Sequence, residues 1–328
     1  MPSDPGLSND SCIFIEAATG DGGNHNPNSV WWLSPDIELV GPVSGPDSAD
    51  AGQTNPVTVN FHRKSADSNC NFPGDESLNV EVWVANPSLV ISPRVQLSSA
   101  RVGFIGSAVP AEGASGAQQI DWDAPAAPPP DDPQSAGHKC LIARAYPSSG
   151  VPSTSAFFVP GDQHVAQHNL CVVRSSRNPL NFTVNTVNPS ATPPPQLNPP
   201  PNAKLRAVLD LHPNTFVRNT ILSRLALFAG FTQLRTHPLS GGFRFDLTNL
   251  HASNIVDHSH PVIAPPFPPF VAPSFEASVV LNPRLVTPIT FLADLAAAAR
   301  GEACIFHLIQ TSLTNVVEGG LTLVALKT

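Results

Sequence analysis

Charge is what this sequence has least of. Asp, Glu, Lys and Arg make up 13% of its 328 residues, against about 25% in an ordinary soluble chain. Lysine occurs only at Lys64, Lys139, Lys204 and Lys327, and the net charge is −8 with no basic stripe. Phosphate binding needs clustered Lys and Arg, so this balance argues against nucleic acid and anionic membrane surfaces as partners. So thin a charged surface has two readings. Either small polar residues (Ser, Asn, Thr) stand in for charge, or neighbouring subunits cover much of the surface.

Long apolar runs are missing as well. No stretch of about 20 apolar residues exists, so no membrane span is expected. The opening Met1-Pro2-Ser3-Asp4-Pro5-Gly6 has neither a basic region nor an apolar core, so no signal peptide is read there. The chain is expected either in the cytoplasm or outside by a non-classical route. Tyr146 is the one tyrosine, which disfavours an antibody-like polar paratope. No GxSxG elbow, HExxH pair, Walker loop or GxGxxG helix start is present, so the expectation is a protein that is not an enzyme. Five cysteines, Cys12, Cys70, Cys140, Cys171 and Cys304, form no CxxC pair, so zinc-ribbon spacing is absent. All five are expected as small buried residues, with a Cys140–Cys171 disulfide as the alternative.

What the chain has instead is strand periodicity and proline. In Leu78-Asn79-Val80-Glu81-Val82-Trp83-Val84 every second residue is aliphatic, the pattern of a strand with one face on a core. Val57–His62, Leu180–Asn185 and Lys204–Leu211 alternate in the same way, and Cys12–Glu16, Val30–Leu39, 94–105, 117–122, 139–146 and 167–174 also read as strands. Pro35 within Val30–Leu39 marks an edge or a break. Ile221, Leu225 and Phe228 carry helical spacing ahead of Gly230, predicting one short helix. Around Arg300-Gly301-Glu302 a wide turn joins two strands. Gly319-Gly320 opens the last one. There are 37 prolines, concentrated at 125–133, 189–201 and 261–273, where polyproline II arms rather than central strands are expected.

At 328 residues the chain exceeds one immunoglobulin-sized sandwich of roughly 100 residues. The predicted fold is all-β: two immunoglobulin-like antiparallel β-sandwiches in tandem, residues 1–176 and 177–328, with long proline-rich loops. The segment Trp31-Trp32-Leu33-Ser34-Pro35-Asp36-Ile37 resembles the opening of bacterial immunoglobulin-like modules that accompany secreted peptidases and cell-surface proteins. His138–Ala145 with Asp162–Leu170 resembles the last two strands of such a module, and Phe275–Ala325 is similar to the tail of another. The resemblance implies a sandwich fold and a non-catalytic role, and it carries over no active-site residues.

Candidate ligands are few. His258 and His260 in Asp257-His258-Ser259-His260 form an His-x-His pair able to face one metal from a strand, while a polar turn is the plainer account. His164 and His168 are four apart, a metal spacing only on a helix. Asp121 and Asp123, with Asp131 and Asp132 beyond them, and Asp21 with Asn24 offer hard oxygens in loops, so calcium is the one cofactor left open. Trp31, Trp32, Trp83 and Trp122 are either core or a carbohydrate platform. The expected interaction residues are Trp31 and Trp32 together with Pro194, Pro200, Pro266 and Pro269 on the proline arms.

The leading expectation is a structural or binding protein that works by assembly, as subunit or scaffold of a filament or particle. Its partners would then be proteins, copies of itself included. The alternative is a secreted accessory or adhesion module for a glycan or a peptidase. A metal-dependent hydrolase built on the 257–260 histidines comes last.

Overall fold

A computed structural model describes residues 12–26, 29–65, 70, 77–92, 100–126, 138–150, 157–175, 178–188, 201–229, 242–247, 255–259, 274–283 and 285–328. Among the described residues, nine strands build the N-terminal sandwich: β1 (Ile13–Phe14), β2 (Ile37–Gly41), β3 (Gly45–Pro46), β4 (Thr54–Arg63), β5 (Leu78–Ala85), β6 (Ala100–Ser107), β7 (Ser115–Asp123), β8 (Cys140–Pro147) and β9 (Val165–His168). One sheet runs β1-β4-β2-β3 with β7 on β4, and the other runs β6-β5-β8-β9. The period of two in β4 turns Val57, Val59 and Phe61 inward, and that of β5 turns Leu78, Val80 and Val82 to meet them. Each fully buried side chain of this kind stabilises the fold by about 1.5–3 kcal/mol relative to exposure.

The C-terminal sandwich contains β10 (Leu170–Ser175), β11 (Leu180–Val187), β12 (Ala203–Asp210), β13 (Phe243–Asp246), β14 (Ile255–Ser259), β15 (Ser274–Val279), β16 (Val286–Ala293), β17 (Ala303–Thr311) and β18 (Val317–Lys327). Its large sheet has the order β10-β18-β17-β12-β15-β14 and its small one β11-β16-β13. Phe291 of the small sheet meets Phe306 of the large one edge-on at 4.9 Å, and Phe245 meets Phe275 at 6.1 Å. Every residue of β17 is buried. Such a strand is covered on both faces, which accounts for its nearly unbroken apolar run.

The all-β expectation holds, with corrections in detail. The pair β10–β18 is parallel, not antiparallel, and β10 lies in the same sheet as β17 and β12. Residues 30–36 are buried turns, and the strand starts at Ile37. Among the described residues the one α-helix, α1 (Thr215–Ala229), has 15 residues and is not short. Asn214 caps it by accepting the Val217 N–H at 2.9 Å. Where a polar turn was the plainer account of 257–260, residues 255–259 form strand β14 paired to β15. Cys12 and Cys70 are joined in a disulfide with Cα atoms 5.1 Å apart, whereas Cys140 and Cys171 are free and buried.

The sandwiches meet through a shared core. Trp31, Trp32 and Leu33 sit in one apolar cluster with Leu89, Cys140, Leu321 and Val324. Backbone bonds cross the junction, Asn169 N–H to the Trp32 carbonyl at 2.8 Å and Thr322 N–H to the Asn169 carbonyl at 3.0 Å. The double glycine is what permits the approach. A Cβ on Gly319 would lie 1.7 Å from the Leu89 carbonyl oxygen, and one on Gly320 would lie 2.6 Å from the Trp32 ring. Only residues without a Cβ allow backbone and indole so close.

Candidate binding surfaces

The first surface is a cleft of about 390 Å³ at the junction, within the size range of ligand pockets. The segment after β3, the start of β8, strand β10 and helix α1 surround it. Arg224 reaches from α1 across to the N-terminal sandwich, donating to the Ser48 hydroxyl and, at 3.4 Å, to the Pro46 carbonyl. Lys139 also lines the cleft and donates to Asn86 at 2.6 Å. His138 keeps partial exposure, yet burial, reinforced by the Arg224 and Lys139 charges, pushes its pKa down to about 4. It is therefore neutral at physiological pH. Asp47 is the carboxylate of this wall, with Oδ1 3.5 Å from His168 Nε2. Its φ of 53° is left-handed, a conformation that aspartate adopts more readily than most residues. Two cations, one carboxylate and apolar Leu39, Leu170 and Val172 suit a ligand with a negative group and an apolar body.

The tip of the β2–β3 hairpin adjoins this cleft. Asp50 holds it by accepting the Val43 N–H at 2.6 Å, the Ser44 N–H at 3.1 Å and the Ser44 hydroxyl. These bonds, the Ser44 hydroxyl first, lower the Asp50 pKa. The result is a fixed loop carrying Val43 at 86% exposure.

The second surface is strand β6, eight residues long at the edge of its sheet. Phe104 is 50% exposed and Ile105 37%. Phe104 lies beside Glu81 and Ile105 beside Val80 in the register with β5, so the two point to opposite faces. The Arg101 guanidinium covers Phe104 at 5.6 Å.

Several other charged groups are engaged internally. Glu81 pairs with Arg144, and Asp162 with His164 at 2.8 Å. At the junction Trp32 Nε1–H donates to Thr322 Oγ1 (2.9 Å), Thr322 Oγ1 meets His307 Nδ1 (3.1 Å), and His307 Nε2 meets Asp210 Oδ2 (3.0 Å). The order carboxylate–imidazole–hydroxyl is that of a nucleophilic triad, but Thr322 is 0% and His307 1% exposed. Its hydroxyl, bonded to the indole, faces no solvent.

The residues singled out from sequence are mostly not brought together. Trp31 and Trp32 are 0% exposed, so neither presents a ring to a partner; they pack the junction. Pro194, Pro200, Pro266, Pro269 and His260 lie outside the described residues, as do Asp131 and Asp132. His258 stands in β14 opposite Ala277. Asp121 and Asp123 line the exposed face of β7, where they accept from Gln119 at 2.9 Å and Thr54 at 2.6 Å. The Asp21 carboxylate is taken by the Ala17, Ala18 and Gly23 N–H groups, each at 2.9 Å. His168 bonds the Ser34 carbonyl at 3.0 Å, while His164 bonds Asp162 at 2.8 Å. Among the described residues, the grouping with metal-ligand geometry is instead Glu16, Asp36 and His62, which no local motif announces.

No family model matches the chain. No curated protein matches it. Among solved structures, the collagen adhesin of S. aureus aligns over 88% of this chain and 92% of its own, at 9% identity and a TM-score of 0.20. The CupB6 tip adhesin of Pseudomonas aeruginosa aligns over 85% and 92%, at 10% identity and a TM-score of 0.17. Scores so low carry no argument about this chain.

Proposed function

We propose that this protein is a non-catalytic component that works by assembly, with the β6 edge as the surface along which a second copy adds. The observation that carries this reading is a long edge strand with exposed apolar residues on both of its faces. Unpaired edges of that kind template strand addition between chains, main-chain bonds supplying affinity and flanking side chains specificity. The shared core supports it further, because two sandwiches locked together transmit load as one piece. The internal engagement of Asp210, His307, Glu81 and Arg144 is in keeping with a role without turnover. The test is light scattering on Phe104→Lys and Ile105→Lys variants. Both are expected to shift an assembling wild type toward monomer, and unchanged assembly in both would refute the β6 edge as the interface.

The cleft favours a second reading, an exported accessory or adhesion module that binds a glycan or a protein partner. The Cys12–Cys70 disulfide supports an oxidising compartment. With Trp31 and Trp32 buried, a glycan would have to enter the cleft rather than stack on them. Binding on a glycan array that Arg224→Ala abolishes would favour this reading over assembly.

A further inference from the structure

Glu16, Asp36 and His62 belong to neither surface, and the fold assembles them from three separate segments. Glu16 follows β1, Asp36 precedes β2, and His62 is near the end of β4. One donor atom from each falls within 4.8 Å of the other two. Asp36 is 6% exposed, while the His62 side chain keeps 23%, so the group is built into the protein yet open to solvent on one side.

Its surroundings are those of a metal ligand set. His62 Nδ1 meets Ser115 Oγ at 2.7 Å. Without an ion, Nε2–H donates to Asp36 Oδ2, 2.9 Å away, an oxygen that also accepts the Glu16 N–H at 2.6 Å. With the ring proton on Nδ1 and donated to the Ser115 hydroxyl, Nε2 presents its lone pair to an ion. Such an outer partner fixes the tautomer and orientation of a ligating imidazole. Phe14 stacks on the ring with centroids 5.0 Å apart. Ser34 ties the two carboxylate-bearing segments together, donating to the Glu16 carbonyl and accepting the Asp36 N–H at 3.1 Å. Glu16 gives one carboxylate oxygen to the Gly20 N–H at 2.9 Å, which leaves the other oxygen for a ligand.

We propose that Glu16, Asp36 and His62 bind one divalent transition-metal ion of the zinc class, with water completing its coordination. One imidazole and two carboxylates fit zinc and its neighbours, whereas calcium and magnesium favour all-oxygen sets. The spacing agrees. An ion about 2.0–2.1 Å from both Nε2 and Oδ2 in tetrahedral geometry needs those atoms roughly 3.4 Å apart. Replacing the hydrogen between them with the ion therefore opens the pair by about 0.5 Å, a shift that the partly exposed His62 can make.

The test is calorimetric titration of chelator-stripped full-length protein with zinc chloride alone, paired with X-ray absorption of the loaded protein. The expected result is one ion per chain, a coordination shell of one imidazole and oxygens without sulfur, and a raised melting temperature. His62→Ala and Glu16→Gln are each expected to weaken binding by more than about tenfold, and Ser115→Ala by about tenfold through loss of the outer bond. His258→Ala is expected to leave it unchanged. No saturable zinc binding, a shell without imidazole, or full affinity in Glu16→Gln would each overturn the proposal. Glu16 is only partly buried, so its variant folds even where His62→Ala does not.

Discussion

Thr322→Val isolates the polar thread through the junction, because it keeps the shape of the side chain and removes only the hydroxyl. Thr322 is 0% exposed, and its oxygen accepts the Trp32 indole N–H at 2.9 Å while facing His307 Nδ1 at 3.1 Å. Valine leaves a fully buried indole donor without its acceptor and takes one partner from His307. A buried polar group left unsatisfied costs about 1–3 kcal/mol, so the pair of losses is worth about 3 kcal/mol. The unfolding entropy of a chain this long is on the order of 0.7 kcal/mol per kelvin, which converts that cost to a drop of about 4 °C in Tm. Differential scanning calorimetry at pH 7.5 reads it directly, with Thr322→Ser as the control that keeps the hydroxyl and loses only a methyl. The wild type is expected to melt in one transition with both halves moving together. A Thr322→Val protein within about 0.5 kcal/mol of wild type, or two separate transitions in the parent, would refute the claim that one apolar cluster at the junction binds the sandwiches together.

Three further outcomes follow from the same structure. Gly319→Ala, whose Cβ would lie 1.7 Å from the Leu89 carbonyl oxygen, is expected to cost several times the usual ~1 kcal/mol of a point substitution; near-normal stability in urea would contradict the close approach. Breaking the Cys12–Cys70 disulfide, which spans 58 residues, is expected to cost about 4 kcal/mol by the loop-entropy estimate, and a loss under 1 kcal/mol by urea titration with and without reductant would count against it. His138, held near a pKa of about 4, stays neutral in the fold while the unfolded chain takes up a proton below about 6.5. Its contribution is therefore complete above that value and is lost as pH falls toward 4, by at most about 3 kcal/mol. His138→Phe should flatten the pH dependence of the urea midpoint over this window, and an unchanged slope would show that the imidazole does not titrate as described.

Much of the architecture was legible because a one-sided strand writes its period into the sequence. β4 and β11 alternate with their buried faces, and the turn at 300–302 separates β16 from β17 as the residues suggested. Residues 30–36 misled for a physical reason. They are buried nearly all round at the junction, so their run of apolar side chains follows no strand at all. The parallel pairing of β10 with β18 joins segments about 150 residues apart in sequence and leaves no local mark. Nor does a disulfide partner, since spacing alone does not say which cysteines meet. The histidines at 258 and 260 stand out because they are only two residues apart. Glu16, Asp36 and His62 do not, because only the packing of β1, β2 and β4 puts them together.

The assembly reading is tested most directly by light scattering coupled to size-exclusion chromatography across micromolar concentrations. The expected result is a mass that is a multiple of the single chain, returned to the single-chain value by Phe104→Lys. A wild-type protein that stays monomeric over the whole range would contradict it.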